Sequence, residues 1–248
     1  MRILGIDTAT AVASVALVED GKLVAEEIQS NRGNLSDGAP RANHAEIVIS
    51  LIQSVLTKAA TSNADLSGIA VSIGPGSFTG LRIGLATAKG IAYEGGLPIV
   101  GVSTLHASAA RVTDFEGIIC SLLDARKSEV YFALFSREAH RIKRITVDAI
   151  TSLGSLLDQV RNFGGGAGAS LLFVGDGARV YEKLFKNSFG EAAQISAGDG
   201  YCSIASQVSR LAEGRFHAHT TDDIARLVPV YLRPSEAESK RSESAVTR

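Results

Sequence analysis

Two aspartates are the first candidates for chemistry in this sequence. Asp7 closes the apolar run "RILGID" and Asp124 closes "GIICSLLD", so each sits where a buried strand ends. A carboxylate in that position can hold a magnesium ion beside a phosphate, or it can cap the following turn through side-chain to backbone hydrogen bonds. A phosphate site also needs bare backbone amides next to the acid, and glycine supplies them. Here the two runs continue Asp7-Thr8-Ala9-Thr10 and Asp124-Ala125-Arg126-Lys127, with no glycine in either. Both readings stay open, with turn capping the simpler. A two-metal nuclease would want three or four converging carboxylates, and only these two can be placed.

Other catalytic constellations are not spelled out in the chain. Of the five histidines, only His217 and His219 are close in sequence, and "RFHAHTT" offers no supporting ligand at metal spacing. His44 opens a helix without a second ligand, so no metal is assigned to it. There is no Gly-x-Ser-x-Gly nucleophile elbow, and neither Cys120 nor Cys202 has a basic neighbour to activate it. Two cysteines in apolar settings suit a reducing cytoplasm. The expected protein is cytoplasmic, with no leader and no membrane segment.

The densest motif is "AVSIGPGSFTGLRIGLATAKGIAY", residues 70–93. It matches neither the dinucleotide fingerprint nor the phosphate loop, because no Gly-Lys-Ser/Thr follows. Its glycines continue into a helix: Gly80, Gly84, Ala88 and Ala92 recur every fourth residue and form one nearly bare face. Glycine within a helix costs up to ~1 kcal/mol relative to alanine, and close approach of another helix would justify it. The preceding helix, about 45–60, places Ile47, Val48, Leu51 and Val55 in an apolar arc of roughly 220°, wider than one core-facing stripe needs. Either the chain's own C-terminal segments cover that excess or a partner does; on the second reading, these eight residues form a subunit interface.

These sites need elements to hold them. The first half reads as three strands (2–7, 14–18, 22–28, the last two joined at Asp20-Gly21), a helix, a strand at 68–74, a helix at 79–93, the strand "PIVGV" and a helix capped by Ser103 or Thr104. The pattern then restarts. Strands at 117–125, 129–135 and 141–147 precede a helix, the strand-to-turn "SLLFVGDGA" and further helices at about 177–187 and 201–213. Asp7 precedes Ala16-Leu17 by nine positions, as Asp124 precedes Ala133-Leu134. The order of elements predicts an α/β fold of two ribonuclease-H-like lobes in tandem, the actin-like ATPase architecture, with a cleft between them. The expected division is 1–110, 111–234 and a disordered polar tail, 235–248. A nucleotide cleft in vestigial form would draw on Asp7, Thr8, Gly74, Gly76, Asp124, Gly175 and Asp176.

Net charge is −1, carried as −4 by residues 1–124 and +3 by residues 125–248. Neither half has the dense basic stripe of a protein that grips nucleic acid alone.

"LGIDTAT", "RANHAEIVISLIQSVL", the 70–93 motif, "VSTL", "LLDARKSEVYFALF", "FVGDGA" and "PVYLRP" together resemble the TsaB (YeaZ) family. That resemblance implies a non-catalytic subunit of the bacterial machinery that places threonylcarbamoyl on adenosine 37 of tRNA (t6A). It implies pairing with a catalytic, metal-holding paralogue of the TsaD type, a further TsaE-type ATPase in the complex, indirect contact with tRNA, and homodimers when the paralogue is absent. ATP or ADP and magnesium would then belong to the partners, with no cofactor assigned here and weak nucleotide binding left open. The rival expectation is an active ATPase or small-molecule kinase using Asp7 and Asp124.

Overall fold

Alternating and continuous apolar runs dictate two sheets, and the computed structural model describes them through residues 1–30, 44–139, 141–163, 170–196 and 203–233. The first sheet contains β1 (Arg2–Asp7), β2 (Val12–Glu19), β3 (Lys22–Ser30), β4 (Gly68–Gly74) and β5 (Ile99–Ser103) in the order β3-β2-β1-β4-β5. The first three strands are antiparallel neighbours, and β4 and β5 add in parallel. Asp20 and Gly21 both take positive φ (48° and 73°), the mirror-image turn that two-residue hairpins favour.

The second sheet repeats this plan. It contains β6 (Gly117–Asp124), β7 (Glu129–Glu138), β8 (Arg141–Arg144), β9 (Ala149–Ser152), β10 (Leu171–Val174) and β11 (Ala193–Ile195), in the order β11-β10-β6-β7-β8, with β9 also on β7. Both sheets therefore follow one path, an antiparallel meander and then parallel strands on its far side. The expected tandem α/β architecture of ribonuclease-H-like, actin-like lobes is the observed one.

Helices cover the faces that these apolar strands must bury. In the first lobe α1 (His44–Lys58) and α2 (Phe78–Glu94) pack over β1–β4 around Leu4, Ile6, Val15, Leu17, Ile69 and Val71. In the second, α4 (Leu153–Phe163), α5 (Asp176–Val180) and α6 (Glu182–Phe189) build a core around Phe132, Phe173 and Phe185.

Two helices do not respect the expected division. The helix α3 (Thr104–Ala110), drawn from the first half, packs Leu105 and Ala109 on the second sheet. The helix α7 (Ala205–His217) returns to the first sheet, where Val208, Ala212 and Phe216 bury Ile3, Ala70 and Val100. Packing thus crosses position 110 in both directions, each lobe taking a helix from the other side of it. Periodicity marks α7 as amphipathic, but the back of the first sheet, apolar on both faces, decides where it lands. Residues 235–248, expected to be disordered, lie outside the described residues, as do Cys202 and the His44 side chain.

Local differences have local causes. The third strand expected at 141–147 ends at Arg144 as β8, and a further strand, β9, follows it; the two pair with opposite ends of β7. The expected cap of α3 is Ser103, whose Oγ accepts from the His106 amide at 3.1 Å.

Candidate functional site

The carboxyl ends of β1 and β6 point toward the division between the lobes, where a cleft of about 1000 Å³ opens. Its walls come from the β1–β2 turn (Ala9, Thr10), the start of α2 (Gly76, Ser77, Phe78), the end of β6 (Asp124), Asp176, and the segment Val230–Arg233. Of the residues expected there, Gly76, Asp124 and Asp176 line it. Asp7, Thr8, Gly74 and Gly175 are drawn back from it.

Asp7 is 1% exposed. Its Oδ1 accepts from the Ala9 amide at 3.1 Å and from the Ser72 hydroxyl. Burial pushes the carboxyl up to about 6, against the lowering effect of those two bonds. This is the turn-capping geometry. The following residue, Thr8, donates through Oγ1 to the Gly80 carbonyl at 2.7 Å, and the Ser77 amide donates to the Ala9 carbonyl at 2.7 Å.

That docking explains the glycine stripe. A Cβ on Gly76 would lie 2.2 Å from the Ala9 carbonyl oxygen, on Gly80 2.0 Å from the Thr8 carbonyl oxygen, and on Gly84 2.2 Å from Thr8 Oγ1. The bare face of α2 therefore receives the turn after β1, from within the same chain. Ala88 and Ala92 continue it, fully buried against the first core. Ile47, Val48, Leu51 and Val55 are buried there too, at 8%, 1%, 7% and 0% exposure. All eight residues expected at a subunit interface are thus buried within the chain's own first lobe. The wide apolar arc of α1 is consumed by β2 and β3 beneath it and by α2 alongside.

What the two helices leave outward is a different set. On α1 this is Ile49, 49% exposed, with Gln53 and Thr57. On α2 it is Arg82, Ala86, Gly90 and Tyr93, which follow one another at helical spacing. Tyr93 is 83% exposed, and a Cβ on Gly90 would meet nothing within 4 Å.

The second aspartate is held otherwise. Asp124 Oδ1 accepts from the Arg126 amide and from the Tyr181 hydroxyl, each at 3.0 Å. The Asp124 amide donates to Asp176 Oδ1 at 3.0 Å. Burial raises the Asp176 carboxyl, with bonds from the Asp124 and Gly177 amides pulling the other way. Gly175 (φ 100°) must be glycine, since a Cβ would lie 2.1 Å from the Leu122 carbonyl oxygen. Arg126, Lys127 and Ser128 all adopt positive φ in the turn that follows.

Four further residues at the cleft carry no motif that spacing could find. Phe78 and Tyr231 pack with their rings tilted by 31° and centroids 4.6 Å apart, and the Arg82 guanidinium lies 3.8 Å over Phe78 while its Nε donates to the Tyr231 hydroxyl at 2.9 Å. Arg233 reaches the opposite lobe, donating to the Ala125 carbonyl at 2.7 Å and pairing with Glu129. The available signal was an aromatic and an arginine between two prolines, in "PVYLRP", ahead of a polar tail.

Among the described residues, no three of His, Cys, Asp and Glu come together as a metal site, and no helix is long and apolar enough to cross a membrane. Cys120 is free, and burial pushes its thiol up, which makes it inert.

The fold and cleft define a class first: tandem actin-like lobes whose first turn is locked by a glycine cradle. Comparison with known proteins narrows it. Residues 37–241 match the family model described as TsaD, tRNA N6-adenosine threonylcarbamoyltransferase. The tRNA threonylcarbamoyladenosine biosynthesis protein TsaB of Escherichia coli is 33% identical, over 97% of this chain and 98% of its own length. Its namesake in Bacillus subtilis is 30% identical, over 98% and 99%. The solved structure of YeaZ from Pseudomonas aeruginosa superposes with a TM-score of 0.71 at 22% identity, covering 93% of this chain and 99% of that one. A hexokinase of the ROK type from Thermus thermophilus shares the fold at a TM-score of 0.51 and 11% identity, covering 88% of this chain and 100% of that one. The chain belongs to the TsaB (YeaZ) family, within the wider family that the threonylcarbamoyltransferase model describes.

Proposed function

We propose that the chain is a non-catalytic subunit in the biosynthesis of threonylcarbamoyladenosine in tRNA, pairing with and activating a catalytic paralogue of the TsaD type. Family membership supports the pathway, and five satisfied amides at the cleft turns support the absence of chemistry. Ala9 N is bound to Asp7, Ser77 N to the Ala9 carbonyl, Gly80 N to Ser77 Oγ, Asp124 N to Asp176 and Arg126 N to Asp124. These five backbone donors, which could otherwise receive a phosphate, are committed to the protein's own oxygens. A TsaE-type ATPase, with the nucleotide and magnesium, belongs to the partner side of the complex, and tRNA is contacted through it. The chain works in the cytoplasm and forms homodimers when the paralogue is missing.

Pairing uses the outward face of α1 and α2, around Ile49, Ala86, Gly90 and Tyr93. The small residues at 86 and 90 let a neighbouring helix approach, and Tyr93 supplies apolar area at the edge of the patch. The rival reading, an ATPase or small-molecule kinase, rests on the same two aspartates. Titration calorimetry of the isolated chain with Mg-ATP separates the two. The scaffold reading expects no tight binding and no turnover, and micromolar binding with hydrolysis overturns it.

A further inference from the structure

After α7 the chain runs back along the first lobe before it crosses to the second. Asp222 anchors this return: its carboxylate takes both Nη atoms of Arg215, at 3.1 and 2.8 Å, and the Gly101 amide at 2.8 Å. Ile224 and Leu227 then pack against the first core. The Val230 amide donates to the Ile73 carbonyl at 2.7 Å, and the Val230 carbonyl fills the space that a side chain on Gly74 would need. Tyr231 seats on Phe78 and Arg82. Two residues later Arg233 leaves this lobe and grips the turn between β6 and β7.

The grip is specific to that turn. Arg233 Nη1 donates to the carbonyl of Ala125, on the near side of the three left-handed residues, and Nη2 pairs with Glu129, on the far side. Arg126, Lys127 and Ser128 have φ of 62°, 54° and 58°. Each side chain in that region costs roughly 1 kcal/mol or more, and such a run persists only where its surroundings over-determine it. Bonds from Ala125 N to the Glu129 carbonyl and from Glu129 N to the Arg126 carbonyl, both 3.0 Å, close the turn from inside. The planar guanidinium closes it from outside, a two-pronged contact that lysine does not reproduce.

We infer that Val230–Arg233 is a latch: it ties the first lobe to the β6–β7 turn, sets the width of the cleft, and keeps that turn left-handed. Release of Arg233 frees the lobes to move apart and the turn to relax in the same event. Asp124, which precedes the turn on the cleft side, and Arg126, its first left-handed residue, then change position with it. The inference is independent of the pathway assigned above.

Spin labels at Thr57→Cys on α1 and Lys183→Cys on α6, both exposed positions on opposite lobes, report the separation in a Cys202→Ser background. Cys120 is buried away from the label. An excess of unlabelled protein removes distances between copies. The intact latch predicts one narrow distance distribution. Arg233→Ala predicts a longer and broader one, with backbone amides of residues 125–129 exchanging roughly tenfold faster while circular dichroism shows the fold unchanged. Arg233→Lys falls between them, and Glu129→Gln reproduces part of the effect without touching the strap. Unchanged distances and unchanged exchange in both Arg233→Ala and Glu129→Gln overturn the latch. A longer distance with the turn still protected overturns its coupling to the turn.

Discussion

The turns after β1 and β6 occupy equivalent places in the two lobes and are built in opposite ways. The first, Asp7-Thr8-Ala9, is pressed into the glycine face of α2 and its aspartate is sealed from solvent. The second, Asp124 to Glu129, stands at the cleft with three left-handed residues and is held by an arginine from the far end of the chain. One is locked by close packing and the other by a polar clasp. Packing against backbone tolerates almost no change, whereas a clasp can be undone without unfolding the lobe. The duplicated plan thus yields a fixed lobe edge and an adjustable one.

The strongest way to break this contrast is to fill the cradle. Gly80→Ala places a methyl 2.0 Å from a backbone oxygen, so chemical denaturation is expected to show a loss of about 3 kcal/mol or more. Gly90→Ala, almost three turns further on the same helix and facing open space, is expected to be neutral or to gain up to ~1 kcal/mol. Equal losses at both positions would remove the cradle from the account.

Next in size is Asp7. Because its folded-state carboxyl is raised to about 6 from the ordinary 3.8, the folded protein holds that proton more tightly than the unfolded chain. Its contribution is therefore most favourable below about pH 4, declines as pH rises through about 6, and is flat above. Asp7→Asn keeps an acceptor for Ala9 and Ser72 and removes the buried charge, so it is expected to raise stability at pH 7.5 by on the order of 2–3 kcal/mol. It also flattens the decline between pH 4 and 6.5 in urea titrations. A smaller effect is expected at the link between the lobes. Ser103 caps α3 and donates to Asp148 of the second lobe at 2.6 Å, and Ser103→Ala should cost about 1 kcal/mol in the same assay.

Much of this plan is legible in the sequence, and the illegible part has one cause. Strands, both Asp-terminated turns and the long helices follow from local pattern, and the nine-residue offset from Asp to the Ala-Leu pair exposes the duplication. What lands on a surface does not follow from local pattern. The bare stripe of α2 is visible as Gly80, Gly84, Ala88 and Ala92, but its occupant, Thr8, lies over seventy positions away. The apolar excess of α1 is likewise real and is absorbed by β2, β3 and α2 within the same lobe. Helix α7 and the strap that ends in Arg233 cross to elements more than a hundred residues upstream, and their own sequences do not say which sheet or turn they meet. Gly90, off that four-residue spacing, is the glycine of α2 whose face is open.

That residue gives the most direct test of the central claim. The tRNA modification is reconstituted with the TsaD-type paralogue, the ATPase, threonylcarbamoyl-adenylate and tRNA, adding this chain, its Gly90→Leu variant or neither. The account predicts threonylcarbamoyladenosine only with the unaltered chain, with Gly90→Leu folded and unable to co-purify with the paralogue. Full modification in reactions lacking the chain, or undiminished pairing and activity with Gly90→Leu, would contradict it.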